Sequence, residues 1–478
     1  MEHLFDRLRR NAESDICPCH MPGHKRRGWG ELPEALYKMD ITEIEGFDDL
    51  HQPTGILDSL QKEAARLYGA EESFYLVNGS TCGILSAVST VLPRGGHILM
   101  ARNCHRSAYH AAYLRELTVT YLYPPFLEEY DVFDAVTPRQ VEAALEETSP
   151  EAVLIVSPTY EGRIAEVRAI AEIVHRKGIP LIVDEAHGAH LGLAEGFASN
   201  SCQAGADLVI HSVHKTLPSL TQTALLHVNG TLVDRQKLRR FLRIYQSSSP
   251  SYLLMAGIDN ALRYTEERGK ESFARFEALY RQMQDVLKNC RYLTFLPGEP
   301  ERQDVGKLCI YTGKTRFTGK QVYDMLLDEY HIQAEMAAPR YVLAMFTVND
   351  AEETYRRMER ALLDIDRKCG EPGEDLLPGR EYGSEKPWRS PEAIPLAEAW
   401  DRESETVTLQ ESAGRYAAEF VNLYPPGVPL LAPGERISED MVQMIFAYGA
   451  NGLSVQGIIS GETESGFTED MLIRVLKR

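Results

Sequence analysis

Six short apolar runs punctuate the first half of this 478-residue chain, at residues 74–77, 98–101, 153–157, 181–184, 208–211 and 224–228. Each is four or five residues long and lies within two residues of a Gly, Pro, Asn or Asp. Runs this short and this uniformly apolar are strands covered on both faces, which calls for helices on either side of a mostly parallel sheet. The spacing between the third and fourth runs supports this. Val167, Ile170, Ala171 and Val174 recur at helical spacing and Gly178 supplies a stop, so residues 153–184 read as one strand–helix–strand unit. The fold class predicted is therefore α/β.

A chain of this length exceeds one ordinary core. Residues 1–60 read as an N-terminal segment and 61–267 as the large domain. Residues 268–368 carry long charged helices around weak strands such as 307–311 and read as a smaller α/β domain. Residues 369–391, rich in Gly, Pro and Glu, read as a linker, and 392–478 as a further small domain. Apolar residues make up 44% and charged residues 25%, the balance of a soluble globular protein, and no apolar run approaches the roughly 20 residues of a membrane span. Residues 1–10 are charged throughout and lead into no apolar core of a signal peptide, so the expected location is cytoplasmic. Lys plus Arg total 51 against 70 acidic residues, a net charge of −19 that argues against a nucleic-acid binder and suits a cationic substrate, although solubility explains it equally. The eight cysteines show no framework spacing and read as reduced thiols. Cys17-Pro18-Cys19-His20 with His24 lacks a second ligand pair of zinc type, so no metal is expected.

The chemistry-bearing residues fall at the ends of the predicted strands, where open α/β sheets bind ligands. The run at 181–184 ends in Asp184, and the run at 208–211 leads into Ser212-Val213-His214-Lys215. A lysine amine and a strand-end carboxylate are what pyridoxal phosphate (PLP) requires, one to bond its aldehyde and one to keep its pyridine nitrogen protonated. Asn78-Gly79-Ser80-Thr81-Cys82-Gly83 follows the first run and opens a helical stretch at 84–91, a natural seat for a phosphate. The second run leads to His105, a candidate to stack on the pyridine ring, and the third to the loop Ser157-Pro158-Thr159-Tyr160-Glu161-Gly162. Taken singly, each feature is also an ordinary loop or a structural histidine. Taken in order, they assemble one cofactor site.

The chain also contains His20-Met21-Pro22-Gly23-His24-Lys25, Asp40-Ile41-Thr42-Glu43, Asp48-Asp49-Leu50-His51, Asp184-Glu185-Ala186-His187-Gly188, Thr221-Gln222, and Tyr424-Pro425-Pro426-Gly427-Val428-Pro429 with Pro433-Gly434-Glu435. With these motifs it resembles the Orn/Lys/Arg decarboxylase family nearly end to end, in the compact form without the N-terminal wing domain. The resemblance implies the PLP-dependent transferase fold (fold type I): a large domain with a mostly parallel, seven-stranded-type sheet, a small α+β domain and an appended C-terminal domain. It implies Lys215 as the lysine bonded to the cofactor, Asp184 on the pyridine nitrogen and His105 on the ring face. Ala186 and His187 would line the opposite face, and Ser80, Thr81, Ser212 and His214 would hold the phosphate. It further implies a homodimer, or a higher oligomer, with shared active sites, in which Ser248 of the Ser247-Ser248-Ser249 run reaches the partner's phosphate.

The reaction implied is decarboxylation of a basic L-amino acid in polyamine biosynthesis: arginine to agmatine first, then lysine to cadaverine or ornithine to putrescine. His214 or Lys215 would return the proton to Cα. The cationic side chain needs a carboxylate, with Glu435 the first candidate and Glu43 or Asp49 the second. An aminotransferase or C–S lyase on the same scaffold is the alternative.

Overall fold

A computed structural model describes residues 2–27, 31–298, 301–370, 393–423, 427–459 and 471–478. Tyr424, Pro425 and Pro426, and residues 371–391 of the predicted linker, lie outside the described residues. The chain divides into two compact units, one of residues 1–93, 151–157 and 166–274, the other of residues 94–150, 158–165 and 275–478.

In the first unit five strands lie in the order Glu72–Leu76, Ala224–Val228, Leu208–His211, Leu181–Asp184, Ala152–Val156. The last three are mutually parallel, while Ala224–Val228 runs antiparallel to both of its neighbours. Every residue of Leu181–Asp184, Leu208–His211 and Ala224–Val228 is buried, as strands covered on both faces must be. The covering helices include Ile56–Tyr68, Gly79–Val91, Val167–Arg176 and Arg235–Tyr245. Helix Gly79–Val91 lies so close to the sheet that a Cβ on Gly83 would stand 2.8 Å from Leu76 Cδ1 and 3.0 Å from Ile210 Cγ2. The free edge of Glu72–Leu76 is capped by side chains: Gln61 Oε1 accepts from Tyr75 N at 2.9 Å and Gln246 Oε1 from Val77 N at 2.9 Å, which satisfies donors an edge strand would otherwise expose.

The second unit contains a parallel pair, His97–Ala101 with Thr118–Leu122, and helix Arg106–Leu114 between them in sequence. It also holds a four-stranded antiparallel sheet, Thr294–Phe295, Lys307–Tyr311, Tyr341–Met345 and Met336–Ala337 in that order, along with helices Gly319–Asp328 and Glu352–Lys368. After residue 393 two three-stranded sheets and helix Glu439–Ala450 close over a core of Leu409, Val421, Leu431, Ile445, Ile473 and Val475. Among the described residues no helix is long and apolar enough to cross a membrane.

Candidate active site

Two neighbouring parallel strands deliver the central pair. Leu181–Asp184 ends in the buried Asp184, and Leu208–His211 passes through Ser212 into the single helical turn Val213–Thr216 that carries Lys215. Lys215 Nζ lies 3.0 Å from His187 Nε2, so the structure joins two of the predicted residues directly. Asp184 Oδ1 accepts from Ala186 N at 3.2 Å. Burial pushes the Asp184 carboxyl above its ordinary range, and the nearby Lys215 pulls it part of the way back. Such a carboxylate gains from a cation placed against it. His214 Nδ1 is 2.8 Å from the Thr223 carbonyl, which can only accept, so Nδ1 carries the proton and Nε2 is left for exchange. Burial lowers the His214 imidazole, which keeps it neutral at pH 7; the Thr223 bond opposes this and Lys215 adds to it.

The antiparallel pairing of Leu76 with Ala224 brings the Gly/Ser turn to the loop that follows Lys215, and Gly79 N donates to Gln222 O at 2.9 Å. Gly79 and Gln222 have φ of +72° and +86°, the left-handed conformations this tight approach requires. Ser80 and Thr81 sit in the first turn of the 13-residue helix Gly79–Val91, half-buried and exposed respectively, where backbone N–H groups and the helix dipole favour an anion. Ser212 Oγ is fully buried with no hydrogen-bond partner among the described residues. A buried hydroxyl left unmatched is costly, and a phosphate oxygen would satisfy it. A lysine amine, a buried carboxylate, an anion-binding turn and an unmatched buried hydroxyl together fit PLP. The Ser247-Ser248-Ser249 run is exposed and anchored beside this turn, with Ser247 N donating to Asn78 Oδ1 at 3.3 Å and Ser247 O 2.8 Å from His51 Nε2.

His105 belongs to the second unit and caps helix Arg106–Leu114, its Nδ1 accepting from Ser107 N at 3.2 Å. Both flanks of His105 are held by the C-terminal region. Arg106 N donates to Gly427 O at 3.3 Å, and the buried Arg102 donates to Pro429 O at 2.7 Å and Leu430 O at 3.1 Å. Here the expectation for Glu435 needs correction. Its carboxylate is buried and forked onto Arg102, with Nε to Oε1 at 3.0 Å and Nη2 to Oε2 at 2.8 Å, and it also accepts from Ala432 N at 2.8 Å. An anion so fully engaged cannot also read a substrate's cation.

Glu43, exposed, and Asp49, half-buried, gather with Asp48 around Tyr252, whose hydroxyl burial raises first and these three carboxylates raise further. Asp48, at φ +68°, accepts from the backbone N–H groups of Asp49, Thr54, Gly55 and Leu57 and so fixes the loop that presents Asp49. Sequence reasoning missed one constellation altogether. Glu185, next to Asp184, lies 2.7 Å from His211 Nε2; His211 Nδ1 is 3.0 Å from His227 Nε2, and His227 Nδ1 is 2.6 Å from Ser73 Oγ. The available signal was a histidine in each of two otherwise apolar strands, Leu208–His211 and Ala224–Val228.

Comparison with known proteins agrees with this geometry. Residues 1–351 match the family described as "Orn/Lys/Arg decarboxylase, major domain", and residues 389–450 match its C-terminal domain. The chain is 31% identical to the arginine decarboxylase of Bacillus subtilis, over 95% of each chain. It is 29% identical to that of Bacillus anthracis, over 99% of this chain and 96% of the relative. Lysine decarboxylase A from Pseudomonas aeruginosa superposes with a TM-score of 0.83 at 19% identity, covering 100% of this chain and 80% of that one, and so shows the same fold.

Proposed function

The chain belongs to the Orn/Lys/Arg decarboxylase family, and from that premise we propose that it removes the α-carboxyl group of arginine as carbon dioxide to give agmatine, with lysine and ornithine as the next candidates. The observation that carries the reaction is Lys215 poised 3.0 Å from His187 beside the buried Asp184, at the ends of adjacent parallel strands. What supports arginine is that full-length relatives from two Bacillus species bear that name.

When bound here, PLP supplies a conjugated ring that accepts the electron pair left by departing carbon dioxide. The residues supply the rest. Lys215 would hold the cofactor's aldehyde carbon, and His187 steadies its Nζ. Asp184 would hold the proton on the ring nitrogen, favoured because a cation relieves its burial. Ser212 Oγ and the N–H groups of Ser80 and Thr81 would hold the phosphate, with His214 at their side. Decarboxylation consumes one proton at Cα, which Lys215 Nζ would deliver directly, or His214 Nε2 after first taking one up from solvent or Lys215. Ala186 would leave room for the ring. Glu43 and Asp49 remain the acids for the substrate's cation. In this reading the enzyme is a cytoplasmic homodimer that contributes to polyamine synthesis, with Ser248 serving the partner's phosphate.

The test is carbon dioxide release by the PLP-loaded protein, with arginine, lysine and ornithine compared in parallel. Arginine is expected to be turned over fastest. A loaded protein that releases none from all three overturns the reading in favour of an aminotransferase or C–S lyase.

A further inference from the structure

The row Glu185, His211, His227 and Ser73 crosses the sheet just behind the cofactor site, and nothing in the reaction above uses it. Strands Leu181–Asp184 and Leu208–His211 pair through Asp184 and Ile210, and Glu185 N donates to Ile210 O at 3.0 Å. Past this point the backbone contact weakens to one long bond, Ser212 N to Ala186 O at 3.4 Å, before the segments continue into His187 and Lys215. The Glu185–His211 side-chain hydrogen bond, at 2.7 Å, reinforces the two segments at that point. Ser201 fixes the other side of the carboxyl, its Oγ donating at 2.6 Å and its N at 3.0 Å. Both imidazoles are fully buried and lie against the Tyr68 ring at centroid distances of 4.7 Å. Apolar side chains of equal volume would hold such a core at least as well, so stability does not account for three ionisable groups in a row. Strongly perturbed groups beside a reactive centre point to a role in it.

We propose that Glu185 is a positioning residue for Asp184: its row of hydrogen bonds clamps the two strand ends that carry Asp184 and Lys215, and by holding or releasing one proton it sets the charge behind Asp184. The inference rests on the reading of Asp184 as the partner of the cofactor's ring nitrogen.

Two proton arrangements satisfy every bond in the row with both imidazoles neutral. In one, protonated Glu185 donates to His211 Nε2, His211 Nδ1–H donates to His227 Nε2, and His227 Nδ1–H donates to Ser73. In the other the directions reverse, Ser73 donates to His227, and Glu185 is a carboxylate. Burial pushes Glu185 up to about 8 and His211 down to about 3, so the first arrangement holds at neutral pH and the second appears above it. The other ionisable groups facing Glu185 are Asp184, His190, and Tyr68 and Cys202, the last two kept protonated by burial. In the first arrangement Glu185 places no charge behind Asp184. In the second a neighbouring negative charge raises its proton affinity.

Glu185→Gln tests this, because the amide accepts from Ser201 and donates to His211 as the protonated acid does, yet cannot ionise. The absorption of protein-bound PLP is followed from pH 6 to pH 10, together with the nitrogen-15 signals of labelled histidines in the cofactor-free protein. Wild type is expected to show a spectral step centred near pH 8, with reversal of the His211 and His227 tautomers at the same pH. The variant is expected to lack both while binding PLP within about threefold of wild type at pH 6.5. A step that survives in the variant, histidine signals in wild type that do not change across the range, or folded variant that loses PLP at pH 6.5 would each overturn the proposal. Wild-type protein that binds no PLP would instead overturn the decarboxylase reading, and the histidine signals would still decide the row. If the variant does not fold, the wild-type signals decide it alone.

Discussion

Removing the Glu435 carboxylate separates a structural role from a substrate-reading one. Arg102 is 1% exposed, and its guanidinium donates twice to Glu435 and once each to Tyr109 Oη, Pro429 O and Leu430 O. Burial alone would lower its proton affinity, and Glu435 together with Tyr109 and Tyr121 more than restores it. Glu435→Ala leaves that charge buried and unpaired, a change that costs about 3–5 kcal/mol. Replacing both partners, as Arg102→Met with Glu435→Leu, should recover most of the loss, so the two single changes are far from additive. Urea denaturation of the four proteins measures the cycle. In parallel, the KM for arginine should rise little in Glu435→Gln, while its stability falls. The reasoning is refuted if Glu435→Ala stays within about 1 kcal/mol of wild type, or if Glu435→Gln raises KM strongly with stability unchanged, the signature of an acid that reads the substrate.

Four further outcomes are expected. Lys215→Ala should lower carbon dioxide release by at least about a thousandfold and abolish covalent retention of PLP on gel filtration. Ser212→Ala should weaken PLP binding by roughly tenfold, through loss of one charge-assisted hydrogen bond, as read by fluorescence titration. Gly83→Val should destabilise by about 1–3 kcal/mol in urea, since its Cβ would stand 2.8 Å from Leu76 Cδ1. Burial raises the Asp48 carboxyl, but four backbone N–H groups outweigh it and hold the group below its ordinary value. Its folded pKa is thus depressed, so its contribution is complete above the unfolded value of about 3.9 and fades as pH falls through the folded one. Asp48→Asn should therefore lower the urea midpoint at pH 7 and progressively less towards pH 3.

Much of the cofactor unit was legible because its strands are buried on both faces and read as apolar runs: Leu181–Asp184, Leu208–His211 and Ala224–Val228 have the predicted ends. Strand Thr118–Leu122 was not read, since only its last residue is buried and Thr-Val-Thr-Tyr-Leu forms no apolar run. Asp184, His187 and Lys215 were proposed from strand-end position and motif, and in the structure Lys215 Nζ lies 3.0 Å from His187 Nε2. Glu435 was misread because a carboxylate in a Pro/Gly turn looks solvent-exposed in sequence, and its partner lies 333 positions away. The Glu185 row was missed for the same reason: its members come from four strands or strand ends that only the sheet brings into line.

The site assignment stands or falls on where the cofactor bonds. Borohydride reduction of the PLP-loaded protein, followed by peptide mass spectrometry, should find one pyridoxyl-modified lysine, Lys215, within the segment from Ser212 to Thr216. Modification at another lysine, or none under conditions where PLP binds, would contradict it.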